Sequence, residues 1–333
     1  MINNKIILIT GGTGSFGKKF VKICLKNFNP KKIIIFSRDE LKQYDMLNEF
    51  PVQIRKKLRF FIGDVRDLSR LKLAMQNVDC VIHAAALKQV PTAEYNPFEV
   101  VKTNIIGSQN VIDAALSMKV KKVIALSTDK AAAPVNLYGA TKLTADKLFI
   151  AANNFKGKND ISFSVVRYGN VMGSRGSVVP LFLSQKKEGC LTITDKDMTR
   201  FNISIEKGVN YVIDCLLRMI GGELFVPKLK SFKITDLAKA IAPQCKIKFI
   251  GTRPGEKIHE ELITENDSKN TLEFPKEFII LPSFEFYDEK ASKTIYKKYY
   301  KSGKKCKPKF SYNSRDNEAF FSATDLKKLI SKV

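Results

Sequence analysis

Short apolar runs alternate with longer amphipathic stretches from the first residues of the chain. Each run is short and apolar throughout, as is typical of strands buried on both faces of a parallel sheet. The predicted strands are Lys5–Thr10, Lys32–Phe36, Leu58–Ile62, Asp79–His83, Val123–Ser127 and Ser162–Tyr168. The predicted helices between them are Lys18–Phe28, Leu41–Phe50 and one that follows Asn96-Pro97 and runs to about Lys119. This alternation predicts βαβ units, and so an α/β fold with a Rossmann-like, doubly wound parallel sheet.

The alternation becomes weaker after Gly173, where segments are shorter and mixed. A return strand is predicted at Glu223–Val226, and a last short helix is predicted after Thr324, which we take as its N-cap. We therefore predict a larger domain over residues 1–173 that also takes a return strand from about residues 222–227. Residues 174–333 should form a smaller, mixed α/β lobe that is interleaved with the first domain.

Composition and charge narrow the classes of function. The 57 Lys and Arg residues against 33 Asp and Glu residues give a net charge of +24. Because these basic residues are spread along the chain, and the dense run at residues 293–309 is typical of a solvated segment, we predict no nucleic-acid partner. No apolar run approaches the roughly 20 residues that cross a bilayer, so we expect a cytoplasmic protein without membrane contact. The six separated cysteines and two histidines predict free thiols and no metal site.

The first predicted strand ends in a glycine-rich turn, and a predicted helix follows directly. Glycines at this junction allow a tight turn and let a pyrophosphate approach the backbone, while the helix N-terminus offers N–H groups to the anion. The spacing is G-x-x-G-x-x-G rather than G-x-G-x-x-G, so position between strand and helix is the stronger signal. A turn without a ligand is the alternative. The predicted cofactor contacts here are Gly11, Thr13, Gly14, Ser15, Phe16 and Gly17.

Ser37-Arg38 ends the second predicted strand, where NAD-binding proteins place an acidic residue for the ribose hydroxyls. A hydroxyl and a guanidinium suit a 2′-phosphate, so the sequence favours NADP over NAD. Asp39 follows directly, and a surface ion pair with Arg38 is the alternative interpretation.

Two more strand ends are predicted to meet the cofactor. One borders the adenine, and the other offers small side chains that let the dinucleotide approach. His83 is interpreted as a hydrogen-bonded core residue rather than a catalyst. The residues concerned are Asp64, Val65, Ala84, Ala86 and Lys88, the last of which also reaches toward a substrate.

Ser127-Thr128-Asp129-Lys130 ends the fifth predicted strand, and Tyr138-Gly139-Ala140-Thr141-Lys142 follows on a predicted helix. Residues four apart share a helix face, so Tyr138 and Lys142 can point at one ligand. A phenol has an ordinary pKa near 10, and a nearby ammonium and a cationic nicotinamide favour its phenolate. Tyr138 is then a base that can take a hydroxyl proton while hydride leaves the same carbon.

In these motifs the chain resembles the extended short-chain dehydrogenases/reductases. More narrowly, the runs GGTGSFGK, SRDELKQ, FFIGDVRD, HAAALK, STDKAA, NLYGATK, VVRYGNVMGSRGSVVP, MTRF and RPGEKIHE resemble the soluble, inverting UDP-N-acetylglucosamine 4,6-dehydratases of the pseudaminic acid pathway. The resemblance covers nearly the whole chain and weakens after about Leu281. It implies an NADP-dependent, redox-neutral loss of water from a UDP-sugar, which yields a 4-keto-6-deoxy sugar inverted at C5.

The resemblance also implies roles for the cluster at residues 128–142. Tyr138 is the C4-hydroxyl base, Lys142 its electrostatic partner and a ribose ligand, and Thr128 a hydrogen-bonding support. Asp129 protonates the departing C6 hydroxyl, and Lys130 takes the C5 proton. Lys130 can act as a base only when neutral, so we expect burial and nearby positive charge to lower its pKa from about 10.4.

Further residues are predicted to hold the substrate, because forked guanidinium donors match diphosphate oxygens and a carboxylate can accept from ribose hydroxyls. Residues 174–179 are predicted to form a glycine-containing loop beside them. Those named by the resemblance or by their chemistry are Lys88, Asn170, Val178, Thr199, Arg200, Arg253 and Glu256.

Two other functions stay open. A UDP-sugar 4-epimerase needs the Tyr138/Lys142 pair but not Asp129 and Lys130, and a catalytically silent NADP-binding regulator needs neither pair. The resemblance also implies a closed homo-oligomer, for which a hexamer is one option.

Overall fold

The computed structural model describes residues 2–173, 177–282 and 293–331, with the side chain of residue 296 left out. Seventeen strands lie in the described ranges. In chain order they are β1 Ile6–Thr10, β2 Lys32–Ser37, β3 Leu58–Ile62, β4 Cys80–His83, β5 Lys122–Thr128, β6 Ser162–Tyr168, β7 Asn170–Val171, β8 Cys190–Ile193, β9 Thr199–Ile203, β10 Leu224–Pro227, β11 Lys230–Lys233, β12 Lys246–Phe249, β13 Glu261–Ile263, β14 Thr271–Glu273, β15 Glu277–Ile280, β16 Lys304–Lys305 and β17 Tyr312–Asn313.

Twelve α-helices lie in the same ranges. They are α1 Ser15–Asn27, α2 Glu40–Asn48, α3 Val52–Arg55, α4 Leu68–Ala74, α5 Val90–Tyr95, α6 Pro97–Val101, α7 Gly107–Ser117, α8 Leu137–Phe155, α9 Val178–Gln185, α10 Ile205–Arg218, α11 Ile234–Ile241 and α12 Ala323–Ile330. No helix among the described residues is long and apolar enough to cross a membrane.

Ten strands form one sheet in the order β16-β14-β15-β10-β6-β5-β4-β1-β2-β3. The seven strands from β10 to β3 are parallel, and β15, β14 and β16 extend the β10 edge antiparallel. The register pairs Ile9 with Ile35 on one side and with Ile82 on the other, so the centre of the sheet is apolar. This arrangement confirms the predicted α/β fold with a Rossmann-like parallel sheet.

The C-terminal half differs from the prediction in detail. The return strand is present as β10 beside β6, but three further strands from this half also join the sheet, because β15 pairs with β10. A second hydrophobic core packs α9, β8, α11 and α12 together around Phe182, Leu237 and Leu326. The division into two lobes at residue 173 stays a prediction.

Two predicted helix boundaries are corrected. The last helix is capped by Ser322 rather than Thr324, because Ser322 and Asp325 form a reciprocal capping box. The helix after Asn96 is interrupted by a π-helical turn, Lys102–Ile106. That turn places Asn104, whose side chain bonds both the N–H and the carbonyl of Leu87 and also the Thr141 hydroxyl. Asn104 thereby fastens the segment after β4 to α8.

Candidate active site

A cleft of about 700 Å³ runs along the carboxyl ends of the parallel strands, where ligands bind in open α/β sheets. It brings together residues from the glycine turn, from the ends of β2 to β6 and from the start of α8. Of the predicted site residues, those that line it are Gly11, Thr13, Gly14, Ser15, Phe16, Ser37, Arg38, Asp64, Val65, Ala84, Ala86, Lys88, Thr128, Lys130, Tyr138, Lys142 and Asn170.

The turn between β1 and α1 has the shape of an anion cradle. Gly11 adopts a φ of +64°, and a Cβ there would lie 2.9 Å from the Cα of Ala85. Gly17 lies behind the turn, where a Cβ would come within 2.2 Å of the Gly12 carbonyl oxygen. Gly14 is the N-cap of α1 and has no side chain that could satisfy the first N–H groups of the helix. The side of the turn that faces away from the cleft is therefore closely packed, and the N-terminus of α1 can bind a phosphate group.

At the β2 end of the cleft, Arg38 exposes 55% of its side chain. Its Nη1 lies 3.7 Å from Asp64 Oδ2, whereas Asp39 accepts from the backbone N–H of Lys42 and caps α2. Arg38 is thus an exposed arginine with an ion pair, as the alternative interpretation has it, but its partner is the carboxylate of Asp64 and not that of Asp39. Ser37 is buried and its hydroxyl accepts from the amide of Gln43.

His83 lies in the core behind the cleft. Its Nδ1 is 2.9 Å from the Thr10 hydroxyl, and its Nε2 is 3.2 Å from the Ser108 hydroxyl. Burial, with a smaller contribution from the charge of Lys142, lowers the pKa of His83 to about 3. The ring is neutral at ordinary pH, which agrees with its interpretation as a hydrogen-bonded core residue.

Tyr138 and Lys142 lie on one face of α8, which begins where Asn136 accepts from the N–H of Gly139. Lys142 donates to the carbonyl of Leu126 over 2.7 Å, so its ammonium points into the cleft end of β5. Burial lowers the pKa of Lys142, while the nearby Asp146 opposes that change.

The expectation that nearby charge keeps Tyr138 as a phenolate is not met in the protein alone. Burial raises the pKa of Tyr138 to about 12, and the charge of Lys130 and a hydrogen bond with Thr128 oppose this only in part. In the absence of further positive charge, the phenol keeps its proton.

Asp129 and Lys130 lie on a single 3₁₀ turn that follows β5. Asp129 is 1% exposed, and its Oδ1 accepts from the Thr128 hydroxyl at 2.9 Å and from Lys130 Nζ at 3.0 Å. Burial raises the pKa of Asp129, assisted by Glu260 and opposed by Lys130. A raised pKa suits a carboxyl group that must donate a proton.

The predicted fall in the pKa of Lys130 is wrong for the protein without ligands. Burial does lower the pKa, but Asp129 and Glu260 together outweigh burial and raise it above the ordinary value. Lys130 Nζ lies 3.1 Å from Glu260 Oε1, and this second carboxylate is the contact that the sequence argument lacked. Two carboxylates beside one amine stabilise the ammonium.

Glu260 is the residue that sequence reasoning missed. It belongs to the run RPGEKIHE, in which only Arg253 and Glu256 were singled out, and it lies 130 residues from Lys130 in the chain. No signal in the sequence separates Glu260 from Glu256 in this run, because the burial of Glu260 depends on how the segment packs. Glu260 is 2% exposed, and its N–H donates to the Ser314 hydroxyl.

The structure does not bring five of the predicted substrate residues to the cleft wall. Arg200 is buried, and its guanidinium donates to the carbonyls of Thr199, Lys257 and Ile258. Glu256 lines a neighbouring hollow and accepts from the Thr194 hydroxyl. The hydroxyl of Thr199, which is buried, lies 2.9 Å from Nδ1 of His259.

Arg253 is exposed, Val178 begins α9, and residues 174–176 of the predicted loop lie outside the described residues. Contact of these groups with a diphosphate sugar stays a prediction.

Comparison with known proteins gives a consistent result. Residues 7–282 match the family described as polysaccharide biosynthesis protein. An inverting UDP-N-acetylglucosamine 4,6-dehydratase of Campylobacter jejuni is 55% identical over 332 residues, which cover 99% of this chain and 98% of that enzyme. A UDP-glucose 4-epimerase of Rickettsia canadensis is 47% identical over 80% of each chain.

The X-ray structure of Pen from Bacillus thuringiensis superposes with a TM-score of 0.88 at 40% identity, over 100% of this chain and 98% of that one. These matches confirm the predicted resemblance. The chain belongs to the polysaccharide biosynthesis protein family, in the branch that contains the inverting UDP-N-acetylglucosamine 4,6-dehydratases.

Proposed function

We propose that this protein removes one water from UDP-N-acetylglucosamine and forms a UDP-4-keto-6-deoxy sugar with inversion at C5. The observation that carries the proposal is the placement of Thr128, Lys130, Tyr138 and Lys142 on one cleft wall, with Asp129 in contact behind them. The name of the Campylobacter jejuni relative supports the same reaction. An oxidation pair and an elimination pair are thus available within one site.

We propose NADP as the cofactor. The turn at residues 11–17 suits its pyrophosphate, the segment at residues 84–86 suits close approach of the dinucleotide, and Arg38 with Ser37 suits a 2′-phosphate. Asp64 and Val65 would border the adenine, Lys88 would reach the inner end of the cofactor and the sugar, and Lys142 would bind a ribose hydroxyl. Bound NADP would supply the acceptor for the hydride of C4 and, after water is lost, the donor that returns hydride to C6, while a solvent-derived proton adds at C5.

The first step needs a base at the C4 hydroxyl. Tyr138 would take that proton as a phenolate, and the charge of Lys130 and a hydrogen bond with Thr128 offset in part the rise in its pKa that burial causes. The role therefore needs the further positive charge of the bound nicotinamide. Lys142, held by the carbonyl of Leu126, keeps a positive charge on the same face of α8.

The second step removes water across C5 and C6. Once C4 is a carbonyl, loss of the C5 proton gives an enolate, so oxidation must come first. The Lys130 amine takes the C5 proton, and Asp129 gives a proton to the C6 hydroxyl, which leaves as water. Because Lys130 is an ammonium in the protein alone, it must lose one proton before this step.

The product made in deuterium oxide tests the proposal. We expect the sugar to lose the mass of one water, to carry a solvent-derived deuterium at C5 and to show the inverted C5 configuration by NMR. An unchanged mass with altered C4 configuration would mean epimerisation instead. Binding of NADP with no change in the sugar over long incubation would mean a silent regulator.

The 4-epimerase is a second candidate because the Rickettsia relatives, which are 47% identical, carry that name. It uses Tyr138 and Lys142 alone. The buried contact between Asp129 and Lys130 has no part in epimerisation, so it favours dehydration.

We further propose that the reaction belongs to the pseudaminic acid pathway and takes place in the cytoplasm. Asn170, which lines the cleft, would contact the sugar nucleotide, and the more distant candidates would complete the substrate site. These distant candidates are Val178, Thr199, Arg200, Arg253 and Glu256. We also propose a homo-oligomer, for which a hexamer is one option, and light scattering of the purified protein tests this.

A further inference from the structure

Four charged groups from three separate parts of the chain meet beside the cleft. Lys130 Nζ lies 3.0 Å from Asp129 Oδ1 and 3.1 Å from Glu260 Oε1, and Arg200 Nε lies 3.6 Å from the same Glu260 oxygen. Both carboxylates are almost fully buried, whereas 26% of the Lys130 side chain reaches the cleft. We call these four residues the elimination cluster. The Lys130 amine is therefore held by two carboxylates on its buried side, and its exposed part faces the cleft.

The two carboxylates are not equivalent. Asp129 has Lys130 as its cationic neighbour, and burial raises its pKa. Glu260 faces both Lys130 and Arg200, and these cations, in opposition to burial, lower its pKa. Of the two carboxyl groups, Asp129 is therefore the one that more readily takes a proton, and Glu260 the one that more readily keeps its negative charge.

The other charged and titratable groups near Lys130 come from neighbouring elements. Their effects are weaker because none accepts a hydrogen bond from Lys130 Nζ among the described contacts. They are Lys88, Tyr138 and Lys257.

We infer that Glu260 is a positioning residue: its carboxylate fixes the Lys130 amine at the cleft and, through its negative charge, sets how many protons the Asp129–Lys130 pair holds. The inference rests on the proposed dehydration. It adds a residue 130 positions away from Lys130 to the elimination step. One of the two oxygens of Glu260 is buried with no partner among the described residues, so no competing hydrogen bond accounts for its burial.

The test is Glu260→Gln, which keeps the shape and removes the charge. One of the two anchors of the Lys130 amine loses its charge and holds the amine less firmly, so we expect kcat for dehydration to fall about tenfold or more while KM changes little. Removal of a negative charge also lowers the pKa of both Asp129 and Lys130, so both limbs of the pH profile of kcat should move to lower pH by about one unit.

Two further variants separate this role from a structural one. Glu260→Asp retracts the carboxylate but keeps its charge, so kcat should fall several-fold with both pH limbs in place. Glu261→Gln removes the adjacent carboxylate, whose pKa is raised mainly by its own burial, and should leave kcat and both limbs unchanged. If Glu260→Gln does not fold, Glu260→Asp decides, and an unchanged kcat in that variant overturns the inference.

A second measurement does not need turnover. The infrared carbonyl band of a protonated carboxylic acid, assigned to Asp129 by its loss in Asp129→Asn, should persist to higher pH in the wild type than in Glu260→Gln. An identical pH dependence in both proteins overturns the inference. If the wild type forms no 4-keto-6-deoxy product, the proposed function fails, while this band still decides whether Glu260 sets the proton occupancy.

Discussion

The two ends of the cleft are built in different ways. At the cofactor end, the walls are a glycine turn and a run of alanines, each continuous in the sequence, and the backbone makes the surface. At the other end, the elimination cluster gathers charged side chains from residues 129–130, 200 and 260. A backbone cradle depends on local spacing, whereas a charge cluster depends on how distant segments pack. The glycine turn can therefore be predicted from a sequence motif, whereas the charge cluster cannot.

Energetics also separates the two ends. A glycine turn carries little desolvation cost, since it buries no charged side chain. Buried charges are costly unless each has a partner, and removal of one partner leaves the other uncompensated. We therefore expect changes in the elimination cluster to have larger effects than changes at the cofactor end, and they should act on turnover more than on binding.

The largest effect is expected for Lys130→Ala. The C5 proton then has no base and the carboxylates of Asp129 and Glu260 lose their shared cation, so release of water should fall about 100-fold or more. Binding of NADP and of UDP should stay nearly intact. Mass spectrometry of the sugar, with fluorescence titration of NADP, measures both.

The matched control for this change is Lys147→Ala, which alters an exposed lysine of α8. It should turn over at the wild-type rate. Full turnover by Lys130→Ala would contradict the role of Lys130 and leave the elimination cluster without a function.

Arg38→Glu tests the cofactor end. A carboxylate in place of an exposed guanidinium repels a 2′-phosphate, so the affinity for NADP should fall about 10- to 100-fold while that for NAD changes little. Isothermal titration with each dinucleotide gives the ratio. The control is Lys31→Glu, which reverses a charge at the other end of β2 and should leave the ratio of the two affinities unchanged. Equal losses of affinity for NADP and NAD in Arg38→Glu would show that Arg38 does not recognise the 2′-phosphate.

The sequence predicted the parallel sheet and the cofactor end because both rest on local patterns: the buried run of Ile33, Ile34 and Ile35, and the turn from Gly11 to Gly17. It also identified Asp129 and Lys130 as neighbours. It could not predict the charge state of Lys130, since that depends on Glu260, which only the packing of β13 beside the 3₁₀ turn brings near. The strands added beyond β10 were missed because strands as short as β14, which has three residues, carry little periodicity.

A further comparison concerns the free energy of unfolding, which should change in opposite directions when each of two glycines in helices is replaced by alanine. Gly17→Ala forces a Cβ against the backbone of Gly12, so it should lower the free energy of unfolding by about 1–3 kcal/mol and weaken NADP binding. Gly208→Ala, inside α10, meets its nearest atom at 3.8 Å and should raise the free energy of unfolding by about 0.5–1 kcal/mol. Urea unfolding of both variants checks the opposite signs; a neutral Gly17→Ala would show that the turn is less rigid than its packing indicates.

The last effect concerns His83, which is almost fully buried and neutral, whereas Lys130 is partly buried and charged. Two hydroxyls contact His83, whereas two carboxylates contact Lys130. Burial therefore determines the direction of the pKa shift at His83, and the paired carboxylates determine it at Lys130. The pKa of His83 falls from 6.5 to about 3, so below pH 6.5 the unfolded chain binds a proton that the folded one does not. Its contribution to stability is complete above pH 6.5 and should have fallen by about 1.4 kcal/mol at pH 5.5. NMR of the two imidazoles, assigned with a His259→Gln variant, should show no titration of His83 between pH 5 and 8. A midpoint near 6.5 would mean that the ring is far more accessible to water than its 1% exposure indicates.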